Sequence, residues 1–184
     1  LVSYNLKAQE SNPILVAAPM LDIAPDARAG GMGDAGVATA PDVYSQHWNV
    51  SKYAFHTRGA GVAMSYNPWL RKVTSDMALM NVVGFWTPGS DDNQALSASL
   101  TYLKIGDINV MYPNGYPSEN VVNAQSLTFK PYEMAVDVGY SIKVSTAASL
   151  GVALRYIRLD YSGFDNGVTS ASTSNIIAAD ISGY

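Results

Sequence analysis

From about Tyr53 onward, large apolar residues alternate with small or polar ones, and a period of two predicts β-strands. Between Met134 and Val144, the residues Met134, Val136, Val138, Tyr140, Ile142 and Val144 share one face. Ala135, Asp137, Gly139, Ser141 and Lys143 share the other. The run from Leu150 repeats the pattern, with Leu150, Val152, Leu154 and Tyr156 opposite Gly151, Ala153 and Arg155. Leu96, Ala98, Leu100 and Tyr102 oppose Ser97, Ser99 and Thr101, and Val62, Met64 and Tyr66 oppose Gly61, Ala63 and Ser65. Further runs are Met77 to Thr87, Gln125 to Phe129 leading into Tyr132, and Asn175 to Tyr184. Turn signals separate them: Asn67-Pro68, Pro88-Gly89-Ser90-Asp91-Asp92-Asn93, Asn114-Gly115 and Asp165-Asn166-Gly167. About six strands are expected, with 107–123 a loop or a short extension.

The polar face separates two all-β architectures. A soluble sandwich exposes Lys, Glu and Thr there, whereas this chain carries mostly Gly, Ala and Ser. Small residues suit the inside of a barrel, where space is limited or another element fills the lumen. The apolar runs end near aromatics (Tyr66 with Trp69, Trp86, Tyr102, Tyr140, Tyr156), as in the girdles at membrane interfaces. The fold expected is therefore an all-β, transmembrane antiparallel barrel. Residues 1–52 differ in texture: rich in Pro, Gly, Ala and Asp, without sustained period, they read as an N-terminal plug, with 53–184 as the first part of the barrel. About six strands cannot close a membrane barrel, whose smallest type has about eight. An open sheet in lipid leaves unpaired backbone groups, so the chain is expected to be incomplete. Asp180 and Ser182 share the face of Tyr184, which breaks the alternation expected before a terminal aromatic.

Composition supports this reading. Charged residues make up 14% of 184, against roughly 25% in a soluble domain. Yet mean hydropathy is only +0.03, and no apolar run reaches the roughly 18 residues of a spanning helix. The longest, Ile14 to Leu21, is broken by Pro19. There are 12 Tyr and no Cys, so disulfides and thiolate metal sites are excluded. A net charge of −4 argues against nucleic acid as a partner. Leu1 to Glu10 lacks the basic and apolar regions of a secretory leader. This predicts a leader already removed or a sequence that starts within the mature chain.

Candidate chemistry is sparse. Gly31-Met32-Gly33-Asp34-Ala35-Gly36 spells G-x-G-x-x-G, but a dinucleotide site needs a strand before it and a helix after it. Pro25 and Pro41 argue against both, leaving a tight turn where backbone approaches another element closely. His47 and His56 lack a G-x-S-x-G elbow or an H-E-x-x-H pair and read as structural. Asp91-Asp92-Asn93 and Asp165-Asn166-Gly167 read as solvated turns rather than Ca²⁺ loops. Asn49-Val50-Ser51 matches a glycosylation sequon only incidentally. No catalytic residue, metal or cofactor is expected.

The stretch Ala24-Pro25-Asp26-Ala27-Arg28-Ala29-Gly30-Gly31-Met32-Gly33-Asp34-Ala35-Gly36-Val37-Ala38-Thr39 closely resembles the PorV (LptO) family. So do Pro41 to Asn49 and Lys52-Tyr53-Ala54-Phe55. These are outer-membrane proteins of the type IX secretion system of Bacteroidetes, with FadL-like barrels as wider relatives. One departure is Asn49-Val50-Ser51, where the family usually reads Asn-Pro-Ala. The resemblance implies a barrel of about 14 strands with its N-terminal segment inside as a plug. It marks Arg28, Gly30, Gly31, Gly33, Asp34, Gly36 and Asn49 as the plug motif. It also implies a non-catalytic shuttle that binds cargo C-terminal domains at the Sov/SprA-type translocon. The shuttle would pass them to the attachment complex containing the PorU-type sortase, in contact with outer-membrane lipid. Arg28 and Asp34 are then candidates for a paired charge in the lumen, or for charges exposed to water. Loops beyond the aromatic girdle, with Met111, Tyr112, Tyr116, Tyr161 and Phe164, are candidate docking anchors, or loops that pack only on their own barrel. The competing readings are a FadL-type channel for hydrophobic compounds and an outer-membrane hydrolase using the histidines.

Overall fold

The structure, a computed structural model, describes residues 18–57, 59–68, 76–89, 93–111, 126–162 and 172–184; of 110, 111, 126 and 127 it describes the backbone alone. Six of its strands form one antiparallel sheet: β1 (Ala60–Pro68), β2 (Ala78–Trp86), β3 (Gln94–Lys104), β6 (Tyr132–Ser145), β7 (Ala148–Asp160) and β8 (Thr173–Gly183). They pair in chain order as a meander, with β1 and β8 at the open edges. The remaining two, β4 (Ile108–Met111) and β5 (Ser126–Phe129), pair only with each other between β3 and β6. The run from Gln125 therefore does not lead straight into the sheet. Its last residues close a separate ribbon, and the wall strand begins anew at Tyr132.

Register aligns the alternation of all six strands. Met64, Val82, Leu100, Val136, Tyr156 and Ile177 form one cross-strand row. All six are exposed, Met64 by 78% and Ile177 by 81%. The next rows add Val62, Val138 and Leu154, then Trp86, Leu96, Val152 and Ile181, again exposed. On the opposite face, Ser97, Ser99, Thr101, Asn81, Ala135, Asp137, Ser141 and Ala153 are buried. This inverts a soluble protein, where the apolar face is the covered one. From Met134 to Val144 the apolar face of β6 spans about 34 Å along the strand. At a tilt of about 40° that projects to roughly 26 Å, the height of a membrane barrel's apolar band.

β8 resolves the broken alternation near Tyr184. Ile177, Ala179 and Ile181 point outward, while Asp180 and Ser182 share the covered face with their partners Ala153 and Gly151. Tyr184 then lies edge-on to Phe55 of the N-terminal segment, 5.9 Å between ring centroids.

The N-terminal segment covers the polar face. It contains a 3₁₀ turn (Pro19–Asp22), α1 (Ala27–Gly31), α2 (Ser45–Trp48) and a second 3₁₀ turn (Val50–Phe55). Tyr53, fully buried, belongs to this segment, and β1 opens at Ala60 rather than near Tyr53. Met20 and Ala18 pack with Leu79, Leu103 and Leu159 at one end of the sheet. Val50 and Tyr53 pack with Phe85, Ala95 and Ala153 toward the other. The first end carries the longer connections (β1–β2, β3–β6 and β7–β8), and the second the short turns β2–β3 and β6–β7. Among the described residues, no helix is long and apolar enough to cross a membrane.

Candidate functional site

The contact between the N-terminal segment and the covered face concentrates the polar and charged chemistry of the chain. It has three zones, each made possible by a small or polar residue on the inward side of a strand.

Toward the short-turn end, glycines let backbone meet backbone. A Cβ on Gly151 would lie 2.7 Å from the Ser51 nitrogen and 2.7 Å from Val50 Cγ1. One on Gly139 would meet Val50, Ser97 and Gln46. Asn49 caps the Val50–Phe55 turn: its Oδ1 accepts from the Ser51 amide at 3.1 Å and from the Ser51 hydroxyl. Its Nδ2 donates to the Gly183 carbonyl at 3.0 Å, tying the cap to β8. Ser149 Oγ donates to the Ser51 carbonyl at 2.8 Å. The Val50-Ser51 departure thus keeps a capped turn, and Val50 is the side chain that fills the space over the two glycines.

At mid-sheet, Asp137 of β6 and Arg155 of β7 are directly paired in register and joined through the Arg155 Nε. Ser99 Oγ donates to Asp137 at 3.0 Å, and Arg155 Nη1 lies 3.9 Å from Asp180 of β8. His47 sits over this group, its ring edge-on to Trp48 at 4.7 Å. Burial, and then the Arg155 charge, lower its pKa to about 4, so it is neutral at pH 7. A cavity of about 330 Å³ separates His47, Trp48 and Asn49 from Arg155, Asp180 and Ser182.

At the long-loop end, Leu79, Leu103, Glu133 and Leu159 form one inward row. Glu133 is 1% exposed. Its Oε2 accepts from the Met20 amide at 3.1 Å and its Oε1 from the Tyr161 hydroxyl.

The glycine-rich motif forms a helix end. Asp26 caps α1 through the Ala29 amide at 2.8 Å. The helix stops through consecutive positive φ values at Gly33 (73°) and Asp34 (62°), with the Asp34 amide returned to the Ala29 carbonyl. A helix precedes the glycines where a dinucleotide fold requires a strand. Gly36 lies against the Trp48 ring with no room for a Cβ, and its carbonyl accepts from Lys52 Nζ at 2.9 Å. Lys52 is fully buried, also donates to Thr39 Oγ1 at 3.1 Å, and has its pKa lowered by that burial. Gly30 and Gly31 are exposed, with nothing crowding Gly31.

Of the two readings of Arg28 and Asp34, the structure shows the exposed one: both are exposed, and Arg28 bridges to Asp42 at 3.2 Å rather than to Asp34. Asp137, Arg155 and Asp180 form the internal charge group instead. Tyr161 is no free docking anchor, since its hydroxyl is held by Glu133 and its ring packs on the Met20 cluster. Met111 ends β4, described in backbone only, while Tyr112, Tyr116 and Phe164 lie outside the described residues. His56 lies against Phe85, with 4.3 Å between ring centroids. Sequence reasoning passed over Glu133, Asp137 and Arg155; the signal was a charge on the small-residue face of a strand.

A comparison with protein families matches residues 6–184 to the model of the type IX secretion system protein PorV. A search among curated proteins found no match.

Proposed function

The chain belongs to the PorV family of type IX secretion system proteins, and from that premise we propose that it is an outer-membrane, non-catalytic adaptor of this machinery. On this reading it binds the C-terminal domains of cargo at a Sov/SprA-type translocon and passes them to the PorU-type sortase complex. The observation that carries the proposal is the family match over nearly the whole chain. The inverted sheet supports the location: an exposed face of Val, Leu, Ile and Met is stable only under an apolar cover, which a bilayer supplies. Short turns at one end and longer connections at the other fit a barrel whose long loops face outward. The N-terminal segment acts as the plug, and its close seating on Gly139 and Gly151 suits an adaptor better than an open conduit.

The test is co-purification of the full-length protein from its own membranes. Recovery of cargo carrying the C-terminal domain together with the translocon is expected. A clean preparation lacking both contradicts the proposal.

A further inference from the structure

We propose that Glu133 is a latch that couples the long-loop end of β7 to the 3₁₀ turn that begins the N-terminal segment's cover of the sheet. Three neighbours in its inward row are leucines, and the cluster around it is apolar. A carboxylate there is costly unless its oxygens are hydrogen-bonded. Among the described residues, each oxygen has one neutral donor: the Met20 amide of the 3₁₀ turn and the hydroxyl of Tyr161, the residue following β7. Among the described residues, no basic side chain bridges to Glu133. The two donors come from distant parts of the chain, since Met20 precedes every strand and Tyr161 opens the connection to β8, and both also pack on the same apolar cluster.

The consequence is mechanical. Drawing Tyr161 away from the wall leaves, among the described residues, a buried carboxylate holding only the Met20 amide, so the seat of the 3₁₀ turn becomes costly to keep and its apolar packing is left to hold it. The short-turn end is held independently by Asn49, Ser51 and Ser149. The segment therefore loosens from the long-loop end first, and displacement at the end of β7 is the trigger.

Amide hydrogen exchange on the full-length protein in bilayers tests this, with Tyr161→Phe as the main variant. Exchange at residues 18–24 is expected to rise about tenfold, with residues 45–55 unchanged. A Glu133→Gln chain retains one carbonyl acceptor and should show a smaller rise at 18–24 alone. No change in Tyr161→Phe, or an equal rise at both ends in either variant, overturns the latch.

Discussion

Gly151→Ala is the sharpest perturbation of the contact between wall and N-terminal segment. The added methyl would lie 2.7 Å from the Ser51 nitrogen, 2.7 Å from Val50 Cγ1 and 2.9 Å from Ser51 Cα. Ordinary contact begins at 3.4 Å, so the Val50–Phe55 turn must retreat by about 0.7 Å. Two of the three atoms are backbone, so no side chain can swing aside. Overpacking of this kind costs about 1–3 kcal/mol. The retreat also stretches the bonds from Ser149 to the Ser51 carbonyl (2.8 Å) and from Asn49 to the Gly183 carbonyl (3.0 Å), each worth about 1 kcal/mol. The seating of the turn should weaken by roughly 3–5 kcal/mol in all, a factor of about 150 to 5,000. Amide exchange of residues 50–56 reads this directly. Gly31→Ala is the control, because nothing lies within 4 Å of its Cβ and it ends a helix. Wild-type protection in Gly151→Ala, or equal damage from Gly31→Ala, would refute the argument.

Arg155→Met leaves Asp137 buried with Ser99 as its remaining partner and should cost about 3–5 kcal/mol in urea unfolding; Asp137→Asn added to it should recover part of the loss. His47 has its folded pKa lowered from 6.5 to about 4, so the unfolded state binds the proton first as pH falls. Its contribution is intact above about pH 6.5 and lost progressively toward pH 4, by up to about 3 kcal/mol. Protease susceptibility of the N-terminal segment should rise across that window, and His47→Phe should flatten the pH dependence. Leu100→Arg, at the centre of the exposed apolar face, should cost about 2–4 kcal/mol in bilayer refolding, and an unchanged midpoint would deny that this face meets lipid.

The wall was legible in the sequence because alternation is local: each strand states its two faces within ten residues, and register merely aligned them. The small residues opposite the apolar face were compatible with limited space or with a filling element, and the close approaches at Gly139 and Gly151 show the second. Of the β4–β5 ribbon, the run that becomes β5 was legible but β4 and the pairing were not. Its strands have four residues each, too short to carry a period, and only pairing distinguishes them from the wall. The internal charges were missed for a different reason. Asp137 and Arg155 lie 18 positions apart, and only the antiparallel register of β6 and β7 sets them side by side. For Arg28 and Asp34 the residues left two readings open, a paired charge or charges in water, and only the fold, with both exposed and a positive φ at Asp34, chooses the second.

The central claim is that one face of this sheet meets lipid and the other meets the N-terminal segment. The 184 residues contain no cysteine, so a single Cys introduced among them is the one labelling site of this stretch. Spin labels placed one at a time along β3, from position 96 to position 103 of the full-length protein in bilayers, test the claim most directly. Collision with dissolved oxygen should be high at 96, 98 and 100 and low at 97, 99 and 101, while a water-soluble relaxer reaches neither set. Accessibility without a period of two, or oxygen exposure at the serine positions instead, would contradict it.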